Sequence, residues 1–324
     1  MHAPDLTTAL HATKLSALPR SAVLGGLVWL ALAAFSIPNL HMWRLIEVVF
    51  LLAPLVLVPL GMKLISRLDG EDALLRGAVL FQPVAALLTV LSFGFEQGLL
   101  ACALSAPWAL VCGLLSFSGL RRFWRKGFRP LDSAVLRSGL VLIAAGGMGL
   151  VQSRLGLTPL GFVEPLVLLV AVHYHFTAFV GPVFTAKLGQ QLKVSHASRW
   201  MRGLFQAAAP CVVIGTPIVA LGFIFWPPLK VAGSVLLAFG LASVAALTMA
   251  LLPALKGRVA RALLALASAC VLAAMALAMI FSIGEYRENL ILSIPQMAWS
   301  HGLLNGLGFS LGGLLGWALV QREP

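Results

Sequence analysis

Residues 231–252 read VAGSVLLAFGLASVAALTMALL, an unbroken run without a single charge. As a helix rising about 1.5 Å per residue it reaches about 33 Å, enough to cross a hydrocarbon core about 30 Å thick. The same ruler laid along the chain finds ten such segments: 21–36, 42–62, 73–93, 97–119, 133–152, 160–184, 204–226, 231–252, 262–283 and 294–320. Composition agrees. Of 324 residues 60% are hydrophobic and 10% charged, and the mean hydropathy is +0.97. A soluble domain carries about 25% charged residues, so this chain could not cover a water-facing globule. A soluble enzyme, a disordered chain and a collagen-like chain are excluded. The expected fold is all-α: a polytopic transmembrane bundle of about ten helices. Residues 1–20 are read as a polar tail ahead of an uncleaved first helix, and 21–320 as one helical domain, with neither an internal repeat nor a long loop.

The formal net charge of +12 points to topology rather than to nucleic acid. If the first segment enters from the cytoplasm, seventeen Lys and Arg fall on inner stretches and only Arg154, Lys230 and Arg287 on outer ones. Arg44, Arg76 and Arg137 lie within or at the ends of segments. That asymmetry is the positive-inside pattern. It places both termini of this multi-pass protein in the cytoplasm. The patch from Arg121 to Arg129, interleaved with Phe123, Trp124 and Phe128, reads as an anchor for membrane lipid headgroups. Cys102, Cys112, Cys211 and Cys270 all sit in apolar stretches without metal-binding spacing and read as buried thiols.

Ionisable groups inside a bilayer cost several kcal/mol and mark sites of function. In the second segment Arg44 and Glu47 are three apart and share a helix face, with Trp43 beside them and Pro54 and Pro59 beyond. The sixth carries Glu164-Pro165 near its outer end and His173-Tyr174-His175-Phe176 near mid-depth. Positions i and i+2 point about 200° apart on a helix, so one histidine faces the bundle interior and the other packs on a neighbour. The tenth carries His301 and Asn305, four apart and therefore stacked, among Gly302, Gly306, Gly308, Gly312 and Gly313. Gln82-Pro83 and Pro107-Trp108 fall at similar depth. A shared outward-opening polar cavity is expected, lined by carbonyls freed at Pro54, Pro83, Pro107 and Pro165.

The stretch Val172-His173-Tyr174-His175-Phe176-Thr177-Ala178-Phe179, followed by Pro182, and the stretch His301-Gly302…Asn305-Gly306…Gly308-Phe309 together resemble the YndJ-like family of bacterial membrane proteins. Glu47 ahead of its proline-broken run fits the same pattern. Ala178 stands where glycine is expected, and no counterpart of the further domain that some relatives carry is expected. The resemblance implies the membrane fold, a place in the bacterial inner membrane and, loosely, a transporter.

Three chemistries suit these residues. In an intramembrane acid–base enzyme, Glu47 protonates a lipophilic lipid or isoprenoid substrate, as terpene cyclases do. His173, His301 and Asn305 share the catalytic work, while Trp43, Gln82, Trp108, Tyr174, His175 and Phe176 line the substrate site. That reading needs no cofactor. A proton-coupled permease uses the same groups as a relay. A metal or haem protein uses His173 and His301, with Glu47, as ligands. The sequence leaves the oligomeric state open.

Overall fold

In the computed structural model, residues 18–320 are described. Ten helices are long and apolar enough to cross a membrane: α1 Arg20–Asn39, α2 Met42–Asp69, α3 Ala73–Ser92, α4 Leu99–Lys126, α5 Leu131–Leu155, α6 Leu166–Val194, α7 Arg199–Phe225, α8 Pro227–Ala254, α9 Arg258–Tyr286 and α10 Ile294–Leu319. They match the ten segments of the hydropathy reading one for one. Most of the polar tail assigned to residues 1–20 lies outside the described residues.

Local chemistry sets the boundaries. Asp72 starts α3 by accepting the Leu75 N–H at 2.8 Å, the N-cap interaction that satisfies one orphan donor. Ser293 and Gln296 form a capping box at the start of α10. Gly127 and Gly156, both at positive φ, end α4 and α5. The sixth span begins at Leu166 rather than 160. Glu164 therefore lies ahead of the helix, and its Oε2 caps it by accepting the Leu168 N–H at 3.0 Å.

The helices are not equally buried. The apolar window of α2 is 94% buried, against 11% for α1, so α2 is the central post and α1 a peripheral one. Neighbouring helices α1, α3, α5, α6 and α10 pack around α2. Helices α7, α8 and α9 extend the bundle through successive α7–α8 and α8–α9 packing, and α9 packs along α10.

Three helices carry π-helical turns among the described residues. Residues Ala53–Leu57 of α2, Phe176–Val180 of α6, and Ala298–Gly302 and Leu304–Leu311 of α10 are π-helical. Single π turns are rare and concentrate at functional sites, because each adds a residue to the turn and re-aims those beyond it. Here they fall in the three helices that carry the Glu, His and His/Asn motifs. The π segments of α2 and α6 both touch that of α10. A Cβ at Gly306 would lie 3.4 Å from Phe176 Cε1 and 3.5 Å from Val49 Cγ1, so the three helices meet at that point.

Candidate functional site

The α2 motif forms the pair its spacing predicts: Arg44 Nη1 donates to Glu47 Oε2 at 2.9 Å, with both side chains partly accessible. Arg154 and Glu164 lie within electrostatic reach of Glu47. Arg154 is buried; its Nη2 donates to the carbonyls of Ser92 (3.1 Å) and Phe95 (2.7 Å), and its guanidinium lies 4.7 Å from the Phe93 ring centroid. It ties the end of α3 to α5. Glu164 Oε1 in turn accepts from Ser153 Oγ, and from Gln97 Nε2 at 3.4 Å.

The three histidines of α6 and α10 share one device. Each has Nδ1 against a backbone carbonyl: His173 on Leu169 O at 2.7 Å, His175 on Ala171 O at 2.7 Å, His301 on Ala274 O at 2.9 Å. A carbonyl only accepts, so each imidazole carries its proton on Nδ1 and presents a lone pair at Nε2. What meets that lone pair differs. Trp108 Nε1 donates to His175 Nε2 at 2.9 Å, and both residues are fully buried. Asn305 Nδ2 reaches His301 Nε2 at 3.0 Å, as the four-residue spacing predicts. His173 Nε2 has no hydrogen-bond partner among the described residues, and His173 is exposed. It lies within electrostatic reach of His301. The two histidines of α6 take opposite faces as their spacing requires, His175 inward; His173 is exposed and bonded to its own helix rather than packed on a neighbour as expected.

Several residues assigned to substrate are instead engaged inside the protein. His175 and Trp108 satisfy each other, and the Phe50 ring stands edge-on to His175 at 5.5 Å. Phe176 is buried in the core. Gln82 answers a defect in α2. The π turn gives the Val58 N–H to Ala53 O, and Pro59 has no N–H to offer next. The Pro54 carbonyl therefore needs a donor from elsewhere, and Gln82 Nε2 supplies it at 2.8 Å. Pro54 does free a carbonyl, but α3 takes it up, and Pro165 lies ahead of α6 rather than within it. Trp43 is exposed and Tyr174 half-buried.

Two hollows, lined by Leu252 to Ala265 and by Glu71 to Pro83, lie away from the histidines. Among the described residues no three His, Cys, Asp or Glu side chains cluster closely enough to hold a metal. Glu47, His173 and His301 therefore do not form a ligand set.

The sequence reading missed a buried ionic network at the opposite end. Arg137 of α5 grips the Asp69 carboxylate with both Nε (3.2 Å) and Nη2 (3.1 Å), and its Nη1 donates to Gly127 O at 2.7 Å. Arg122 of α4 donates to Asp69 Oδ2 at 3.1 Å, Asp72 Oδ2 at 3.2 Å and Gly70 O at 3.0 Å. Lys126 reaches Asp69 Oδ1 at 2.9 Å. One loop between α2 and α3 is thereby clamped to α4 and α5. Burial alone would raise the Asp72 carboxyl, but the Leu75 N–H, Ser118 Oγ and the Arg122 guanidinium hold it below its ordinary value. The Arg121–Arg129 patch is therefore divided: Arg122 and Lys126 turn inward, while Trp124 (93% exposed) and Phe128 face outward. The three acids in a four-residue stretch, Asp69, Glu71 and Asp72, were the available signal.

The profile of a family described as YndJ-like protein matches residues 48–309, a stretch that takes in both histidine motifs. The protein titled uncharacterized membrane protein YndJ, of Bacillus subtilis (strain 168), is 26% identical over 311 residues, which is 94% of this chain and 54% of that protein. The chain thus spans about half the length of this relative. No solved structure matches. On the extent of the profile match, this multi-pass membrane chain belongs to the YndJ-like protein family.

Proposed function

We propose that the outer halves of α2, α6 and α10 form an acid–base site acting on a lipophilic lipid or isoprenoid substrate that enters from the bilayer. One observation carries this reading. Of the three intramembrane histidines, His173 alone keeps an accessible lone pair, on an Nε2 whose tautomer is set by the Leu169 carbonyl. An imidazole so held is a base that needs no reorganisation before it accepts a proton. Asn305 and Ala274 O orient His301 beside it, and the Glu47–Arg44 pair on α2 exchanges protons with the aqueous side. Exposed Trp43 and half-buried Tyr174 give a lipophilic molecule apolar faces to lie against.

The test compares the extracted lipids of cells expressing the intact chain, its His173→Ala variant, or neither. The expected outcome is a lipid converted only with the intact chain, with conversion lost in His173→Ala although the variant keeps its melting temperature. Identical lipid profiles in all three would refute an enzyme. The π turns in α2, α6 and α10 also suit a proton-coupled carrier, whose broken helices bind substrate at mid-membrane. Solute uptake into proteoliposomes driven by a pH gradient, with an unchanged lipid profile, would favour that reading.

The same proposal sets both termini in the cytoplasm of the bacterial inner membrane. Burial supports it: of the three outer cations, Arg154 is buried against carbonyls and Lys230 pairs with Glu285 at 2.6 Å, leaving only Arg287 exposed. A cysteine placed at Trp124 should react with a membrane-impermeant maleimide only in lysed cells, and one at Glu288 in intact cells. The opposite pattern would invert the topology.

A further inference from the structure

A hollow lies at the junction of α8 and α9. Pro253 has no N–H to continue α8, which tightens into a 3₁₀ turn over Leu252–Ala254 and stops. Gly257, at φ +100°, then turns the chain into α9. Between the two helix ends runs an open groove of about 470 Å³, lined by Leu252, Pro253, Arg258, Arg261, Ala262 and Ala265. The last four are spaced i, i+3, i+4 and i+7, so one face of α9 presents two guanidiniums and then two methyl groups toward mid-span.

Elsewhere at this end Arg122, Lys126, Arg137, Lys193 and Arg202 each hold a partner within the protein. Among the described residues Arg258 and Arg261 make neither an ion pair nor a hydrogen bond, and Arg258 is exposed. On the flanks, Val259 and Leu266 are exposed apolar side chains.

We infer that this groove binds one anionic phospholipid, its phosphate between Arg258 and Arg261 and an acyl chain along Ala262 and Ala265. The planar guanidinium fork matches phosphate oxygens. The walls contributed by Leu252, Pro253, Ala262 and Ala265 are apolar, which suits a lipid and offers nothing to a free phosphate ion. The groove sits at the end of two candidate spans, where headgroups are expected to lie.

The test titrates the delipidated full chain in detergent with phosphatidylglycerol, phosphatidylcholine or inorganic phosphate and counts bound lipid by native mass spectrometry. The expected result is one phosphatidylglycerol retained in preference to phosphatidylcholine. Arg258→Gln/Arg261→Gln should weaken it about thirtyfold, from the loss of two basic contacts with an anionic headgroup. Ala265→Trp fills the groove with both arginines intact and should weaken it as well. Lys63→Gln/Arg199→Gln removes the same charge from exposed positions on α2 and α7 and should leave retention unchanged. Equal retention of the two lipids, equal loss in the Lys63/Arg199 variant, or displacement by millimolar phosphate would each overturn the assignment.

Discussion

Gly146→Ala tests the buried His175 site directly. Gly146 lies on α5 where it crosses α6, and a Cβ there would lie 2.6 Å from His175 Nδ1, 2.8 Å from Cε1 and 3.1 Å from Tyr174 Cβ. The ring cannot swing aside, because Nδ1 is bonded to Ala171 O and Nε2 to Trp108 Nε1, and Trp108 stacks on it at 5.9 Å. Ordinary contact needs about 1 Å more than the site allows, so α5 and α6 must part or the imidazole must leave its partners. Overpacking of this kind costs about 1–3 kcal/mol. Losing the two hydrogen bonds adds about 0.6 kcal/mol each by the average found inside membranes. Against this, alanine gains about 1 kcal/mol over glycine in helix propensity. The net is a loss of about 1–3 kcal/mol. Gly113→Ala on α4, where a Cβ meets nothing within 4 Å, experiences only the gain. Thermal unfolding in detergent, followed by tryptophan fluorescence, should therefore lower the midpoint by about 5 °C for Gly146→Ala and leave it equal or higher for Gly113→Ala. If both variants are as stable as the parent, the α5–α6 contact at His175 is not as close as described.

Three further outcomes are expected. Asp69→Asn withdraws the charge that faces the buried guanidiniums of Arg122 and Arg137 and should cost about 3–5 kcal/mol. Lys126→Gln, removing a half-exposed partner of the same carboxylate, should cost under about 1 kcal/mol; equal denaturation midpoints for the two would show that the network does not clamp the loop. Gln82→Leu strands the Pro54 carbonyl and should lower stability by about 1–2 kcal/mol, read from the same unfolding curves, whereas an unchanged midpoint would mean that the π turn satisfies itself. Asp72 contributes stability that is present above the ordinary aspartate value of about 3.9 and is lost as pH falls through its lower folded value. Asp72→Asn should be less stable than the parent at pH 6, with the difference shrinking below pH 4; a difference independent of pH would remove the carboxylate from the account.

The spans were legible because crossing a bilayer is a local, additive demand: about twenty apolar residues whose backbone groups are satisfied within the helix. Relations inside one helix were legible for the same reason. Arg44 with Glu47, His301 with Asn305, and the opposed faces of His173 and His175 all follow from 3.6 residues per turn. Relations between helices were not. Trp108 and His175 are 67 positions apart, and Asp69 and Arg137 are 68 apart. In a soluble protein an apolar stripe shows which face of a helix turns inward. In lipid the outward face is as apolar as the inward one, so the pattern carries no such direction. Sequence alone therefore determined that this chain is a ten-span helical membrane protein and which groups are costly to keep there. Only the packing of α2, α3, α4 and α6 decided that His175 is satisfied by Trp108, that Gln82 serves the backbone of α2, and that His173 keeps a free nitrogen among the described residues.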